Sequence, residues 1–143
     1  MDKYEALKLN NQLCFPLYAC ANEVVKLYQP VLSPLDLTYT QYVVMLALWE
    51  KDDVNVKTLG EMLHLDSGTL TPLLKKLVAK GYVRKERSSQ DERNVVLSVT
   101  EEGYTLRDRA LEVPCKVGSC VPLSPEESAE LYRLTHKLLD AMR

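Results

Sequence analysis

Two short helical segments, roughly Val56–Leu63 and Ser67–Lys80, are joined only by His64-Leu65-Asp66, and behind them the hydrophobic period changes. That change constrains the fold more than any other feature of the chain. A helix repeats its apolar residues every three to four positions, whereas a strand alternates them. Gly81 sits at the change, where a C-terminal glycine cap is expected. Tyr82-Val83-Arg84-Lys85-Glu86-Arg87 then reads as a strand, Ser88 to Asn94 as a polar turn, and Val95-Val96-Leu97-Ser98-Val99 as a second, β-branched strand. Two helices with a tight turn make a helix-turn-helix, and the β-hairpin after them makes a wing.

The rest of the chain reads as helices around this unit. From about Leu7 to Leu32 the apolar residues recur at helical spacing: Leu13, Leu17, Cys20, Val24, Tyr28 and Val31. Pro16 must kink this helix or mark its first turn, and Ser33-Pro34 ends it. Thr38 and Gln41 form a capping box that opens the helix Tyr42–Trp49, which Lys51-Asp52-Asp53 breaks. Thr100 caps a helix running to about Glu112 and stopping before Pro114. Pro114–Pro122 reads as a loop. Ser124-Pro125-Glu126-Glu127 is a second capping box, launching an amphipathic helix to the C-terminus with Leu131, Leu134, Leu138 and Leu139 on one face. The expected order is α-α-α-α-β-β-α-α: a mainly α chain with a small β-hairpin wing. We expect one domain over residues 1–143, with the winged helix-turn-helix at 55–100. Residues 1–35 and 101–143 carry more apolar stripe than one small domain needs, and a two-fold dimer is the simplest use for it.

The formal net charge of −2 argues mildly against a nucleic-acid partner, but its distribution does not. Residues 66–93 hold 7 basic and 4 acidic groups, while residues 1–65 hold 5 and 8, and residues 94–143 hold 6 and 8. The positive charge is confined to the helix-turn-helix and its wing. No apolar run reaches the roughly 18 residues that span a membrane, and the N-terminus lacks the basic start of a secretory signal, so a cytoplasmic protein is expected. The four cysteines, Cys14, Cys20, Cys115 and Cys120, include no Cys-x-x-Cys spacing, and both histidines lie far from them. Neither a zinc site nor a cofactor is expected.

Ser67, Thr69 and Thr71 at the start of the second helix can donate to phosphates or reach base edges. Lys75 and Lys76 follow as phosphate contacts, while Leu70, Leu73, Leu74 and Leu77 face the core. Alone, this is also the pattern of an ordinary capped surface helix. At the wing tip, Arg93 can enter a minor groove and Asp91 can orient it, although such residues usually end up in a solvated turn. Asp91-x-Arg93 followed by Leu97, Val99 and Thr100, just behind a helix-turn-helix, resembles the MarR-type winged-helix regulators over nearly the whole chain. That resemblance implies a triangular homodimer with one winged helix per half-site of a pseudo-palindromic double-stranded DNA operator.

Asn11-Gln12-Leu13-Cys14-Phe15, Tyr18, Leu37-Thr38-Tyr39-Thr40-Gln41-Tyr42 and Leu65–Leu74 narrow the match. They look like the organic-hydroperoxide-sensing, OhrR-like branch. The resemblance implies that Cys14 is the sensor and that Tyr28 and Tyr39 of the partner subunit hydrogen-bond it. Cys14 and Tyr28 are 14 residues apart, so they share a helix face at a separation of about 21 Å. They cannot touch within one subunit, but an antiparallel copy could bring them together. A phenol donor and a helix N-terminus both favour a charged sulfur, which attacks the peroxide and becomes a sulfenic acid. Apolar Leu13 and Phe15 favour an organic peroxide. By residue type alone Cys14 reads as a small buried hydrophobe, as most free cysteines are. Cys20, on another face, is expected in the core. The resemblance also implies a distal resolving cysteine. Cys120 fits that place best, Cys115 stays open, and a small-molecule thiol is the alternative to both. The expected function is a redox-sensing repressor, not an enzyme, that releases its operator when Cys14 is oxidised. The rivals are a repressor released by a small aromatic ligand, a thiol peroxidase, and a redox adaptor that binds another protein.

Overall fold

The computed structural model describes residues 2–91 and 93–142. Its elements run α1 Cys14–Leu32, α2 Tyr39–Glu50, β1 Val54–Asn55, α3 Val56–Leu63, α4 Ser67–Ala79, β2 Val83–Arg87, β3 Val95–Val99, α5 Glu101–Arg109, α6 Val113–Gly118 and α7 Pro125–Ala141. The expectation that the last helix reaches the C-terminus extends, at Arg143, outside the described residues.

Local chemistry starts each helix. Thr38 Oγ1 accepts from the Gln41 N–H at 3.3 Å and Gln41 Oε1 accepts from the Thr38 N–H at 3.1 Å, which is the expected capping box. Ser124 and Glu127 repeat it at 3.0 and 3.1 Å. Asn55, Asp66 and Thr100 cap α3, α4 and α5 with their side chains. Such a cap stabilises by about 1 kcal/mol. Gly81 takes φ 84 behind α4, the left-handed conformation expected of it.

One apolar core holds these elements. Leu32 of α1, Met45 and Leu48 of α2, Leu59 of α3, Leu70, Leu74 and Leu77 of α4, Leu97 of β3 and Leu106 of α5 are fully buried in it. Each such side chain contributes about 1.5–3 kcal/mol by leaving water. The helix-turn-helix and wing therefore share one core with α2 and the C-terminal end of α1. Gly103 marks the closest approach. A Cβ there would lie 2.6 Å from Val99 Cγ1 and collide with the Tyr82 carbonyl.

The structure corrects the sequence reading in four places. First, α1 begins at Cys14 and not near Leu7. The preceding chain forms two 3₁₀ turns, Glu5–Leu7 and Leu9–Asn11, where the side-chain amides of Asn11 and Gln12 each donate to a backbone carbonyl at 2.8 Å. Such bonds offer the backbone an alternative to the helix. Pro16 lies in the first turn of α1, where its missing N–H breaks no helical bond. Second, Val54 and Asn55 pair with Leu97 and Val96, adding an edge to give the antiparallel order β1-β3-β2. Third, the stretch expected as a loop contains α6. Pro114 stands in its first turn, so the proline starts a helix instead of ending one, and Val113 and Val117 are buried one turn apart. Cys115 therefore lies on a helix and Cys120 just beyond its end. Fourth, Cys20 is exposed, not core. Only the C-terminal half of α1 packs on the body, and residues 14–26 stay exposed apart from half-buried Ala19.

The stripe on α7 likewise finds no cover within the chain: Leu131, Leu134, Leu138 and Leu139 are between 43 % and 49 % exposed. Among the described residues no single helix is long and apolar enough to cross a membrane.

Candidate functional site

The reading helix α4 is positioned from its first turn. The Asp66 carboxylate accepts from the Thr69 N–H at 2.8 Å, and that bond holds it below the usual carboxylate range. The buried face of α4 carries Leu70, Leu74 and Leu77. That orientation leaves Ser67, Thr69, Thr71, Lys75 and Lys76 exposed together. The turn before α4 passes so close to α3 that a Cβ on Gly60 would sit 2.9 Å from the Leu65 carbonyl. A small residue is what lets the two helices meet at this angle.

At the wing tip, Asp91 Oδ1 accepts from the backbone N–H of Arg93 at 3.0 Å. Asp91 thus shapes the turn through Arg93's backbone. Arg93 lines a cleft of about 820 Å³ together with Lys57, His64 and Ser67. Two residues expected to read DNA, Ser67 and Arg93, therefore share one concavity. Lys57 and His64 were not foreseen there. Lys57 is exposed on α3, outside the positive segment of residues 66–93.

The base of the wing is tied to α2. Asp52 accepts from the Tyr104 hydroxyl at 2.5 Å and from the Val99 N–H at 3.0 Å. Burial alone would raise the Asp52 carboxyl. The hydrogen bonds from Tyr104, Val99 and Asp53 outweigh it and hold the group below its ordinary range. The Trp49 indole donates to the Gly103 carbonyl at 3.0 Å, and the Thr100 hydroxyl donates to the Gly81 carbonyl at 2.5 Å. From sequence, Asp52 reads only as a helix breaker, and no local spacing connects it to Val99 or Tyr104.

Cys14 is the first residue of α1 and is exposed, as are the other three thiols. Around it Leu13, Phe15, Leu17 and Tyr18 also stand exposed. At the far end of the same helix Tyr28 meets Tyr39, the first residue of α2, with ring centroids 4.8 Å apart. Tyr42, unforeseen in this role, closes the cluster at 5.8 Å from Tyr28. Burial pushes the Tyr28 and Tyr42 phenols up, and their aromatic neighbours add to this, so both remain protonated donors at neutral pH. Cys14 and Tyr28 thus lie about 21 Å apart along α1. Among the described residues no group of three His, Cys, Asp or Glu could hold a metal ion.

A helix-turn-helix with a hydroxyl-rich second helix, backed by an arginine-tipped three-stranded wing, is the fold of a winged-helix DNA-binding regulator. Residues 26–109 match the family described as Transcriptional regulator SarA/Rot. The chain belongs to this family of transcriptional regulators. It is 44 % identical over 137 residues to the organic hydroperoxide resistance transcriptional regulator of Bacillus subtilis, covering 96 % of this chain and 91 % of that one. The structure of reduced AbfR bound to DNA superposes with a TM-score of 0.83 at 33 % identity, covering 99 % of this chain and 96 % of the other. The disulfide form of AbfR, also 33 % identical, superposes at 0.63, covering 98 % and 93 %. MarR, 20 % identical with a TM-score of 0.73 over 89 % and 97 %, shares the fold. The relatives are regulators and not enzymes, and the resemblances read from Asp91-x-Arg93 and from the Cys14 segment hold.

Proposed function

We propose that the protein is a homodimeric, cytoplasmic repressor that holds a pseudo-palindromic operator while Cys14 is reduced and releases it when an organic hydroperoxide oxidises that thiol. The observation that carries this reading is the pairing of Tyr28 with Tyr39 at one end of α1, with Cys14 at the other. An antiparallel second copy sets each thiol against the other's phenols. The uncovered apolar faces of α1 and α7 supply the surface for that copy. In this reading residues 55–100 contact DNA, with Ser67, Thr69, Thr71, Lys75, Lys76, Asp91 and Arg93 on the contact face, and residues 1–35 and 101–143 dimerise.

The chemistry balances. The Cys14 thiolate attacks the terminal peroxide oxygen. An S–O bond forms as the O–O bond breaks, and the departing alkoxide takes a proton to become an alcohol. Sulfur is oxidised to a sulfenic acid. A second thiol, Cys120 or Cys115 of the partner or a small cellular thiol, then displaces water and leaves a disulfide. Two neighbours bear on which step releases DNA. Overoxidised AbfR is found bound to DNA and superposes at 0.78, while disulfide AbfR superposes at 0.63, below the 0.83 of reduced AbfR on DNA. Both favour the disulfide as the releasing event, because it repacks the dimer and spoils the half-site spacing of about 34–36 Å.

The test is operator binding by fluorescence anisotropy, on a duplex selected from random-sequence DNA with the reduced protein. One equivalent of cumene hydroperoxide should weaken wild-type binding at least tenfold and leave Cys14→Ser unchanged. An unchanged wild type rejects the reading. A response kept in Cys14→Ser points to release by a bound ligand instead. On a non-reducing gel, a covalent dimer lost in only one of Cys120→Ser and Cys115→Ser names the resolving thiol. Arg93→Ala should weaken binding and flatten its salt dependence.

A further inference from the structure

The C-terminal end of the reading helix is fastened to the segment that carries Tyr39 through one buried oxygen. Gln41 is 2 % exposed. Its Oε1 accepts from the Thr38 N–H at 3.1 Å, completing the cap of α2, and from Lys80 Nζ at 3.1 Å. Lys80 also donates to the backbone carbonyl of Asp36 and pairs with the Asp36 carboxylate at 3.5 Å. Asp36 holds a left-handed conformation, φ 54, at the sharpest point of the α1–α2 turn. Lys80 is the residue that closes α4. A lysine at a helix C-terminus ordinarily serves the last carbonyls of its own helix or extends into water. This one is 26 % exposed and spends its donors on another element.

Those contacts add a polar tie to the apolar packing of α4 on α2. Tyr39 follows the cap residue Thr38 directly, and its ring rests on Tyr28. Whatever moves Tyr39 moves the box of residues 38–41, and Gln41 Oε1 moves with it. α4 is about 20 Å long, with Lys80 behind one end and Ser67 at the other. A small shift at Lys80 therefore swings the hydroxyls that face DNA.

We propose that Lys80 is a positioning residue that couples the phenol pair to the reading helix, through Gln41 Oε1 and the Asp36 carbonyl. This rests on the thiol-sensing reading above and adds the route by which the signal travels. Disulfide formation draws the partner's sulfur away from Tyr39, residues 36–41 relax, and Lys80 carries the displacement into α4. Coupling of this kind is a difference between two states. A lysine that merely stabilises the fold acts on both states alike and leaves their ratio untouched.

The ratio is therefore what is measured. Full-length wild type, Lys80→Met and Lys80→Arg are compared on the selected duplex, reduced and after cumene hydroperoxide, while loss of the Cys14 thiol is followed by mass spectrometry. Lys80→Met keeps the aliphatic stem and removes the donors. It should oxidise at the wild-type rate, yet its ratio of oxidised to reduced Kd should fall at least tenfold below that of wild type. Lys80→Arg, which can still donate to both acceptors, should recover most of the ratio. If Lys80→Met weakens both states by one factor, or changes neither, the proposal is overturned. Should Lys80→Met fail to fold by circular dichroism, Lys80→Gln is judged by the same two criteria. A wild type that does not respond to peroxide rejects the sensing reading, and the coupling with it. A wild type that responds beside an equally responsive Lys80→Met rejects the coupling alone.

Discussion

In the proposed sensor Tyr28 does two things: it fills the angle between α1 and α2 with its ring, and it offers a hydroxyl to a sulfur. Tyr28→Phe separates them. The ring contacts with Tyr39 and Tyr42 survive, so stability should change by about 1 kcal/mol or less. Thiol oxidation should slow about tenfold, read by competition against a thiol of known rate. The proton on Tyr28 also marks a pH window. Its folded-state pKa is raised, mainly by burial. The stabilisation it carries is complete below the ordinary phenol value near 10 and is lost as pH rises through the higher folded value. Alkaline unfolding of wild type should therefore steepen above about pH 10, and less so in Tyr28→Phe. The family resemblance singled out Tyr28 and Tyr39 from sequence, and the structure brings their rings together at 4.8 Å. Tyr42 was not singled out, because it reads as an ordinary apolar position of α2, and only the packed rings give it a role.

At the scale of elements, the wing is held by the packing of α5 against its base. Gly103→Ala should force the Tyr82 carbonyl and Val99 apart, at about 1–3 kcal/mol, visible as a lowered Tm by calorimetry. The DNA affinity of the folded fraction should fall with it, since the same strain reaches the wing. A Tm equal to wild type would show that the base of the wing yields freely. The helices with strong caps were readable in advance, because Thr38-x-x-Gln41 and Ser124-x-x-Glu127 write their start signals within four residues. β1 and α6 were not. A two-residue strand has no period, and it exists because Leu97 and Val96 offer it a free edge. α6 was hidden by Pro114, which ends a helix or begins one depending on what precedes it.

For the whole molecule, the exposed leucines of α7 predict assembly. Leu134→Glu with Leu138→Glu should leave the winged helix folded by circular dichroism but shift the species seen by light scattering from dimer to monomer. The same protein should lose its sensitivity to peroxide, because the thiols lose the phenols lent to them. The apolar stripes read on the first and last helices are faces that the chain itself leaves uncovered. The exposure of Cys20 was not legible in the sequence, since an apolar spacing says that a face will be covered but not by which chain.

The distance along α1 between Cys14 and Tyr28 has a genetic consequence. A chain with Cys14→Ser keeps good phenols, and a chain with Tyr28→Phe keeps a good sulfur. Cys14→Ser alone should give a regulator deaf to peroxide, and Tyr28→Phe alone one that answers it slowly. Expressed together in equal amounts and pairing at random, about half of the pairs would join one of each, and every such hybrid rebuilds one intact detector from two impaired alleles. Complementation between two defective copies of one gene is thus the signature that this geometry leaves in a cell.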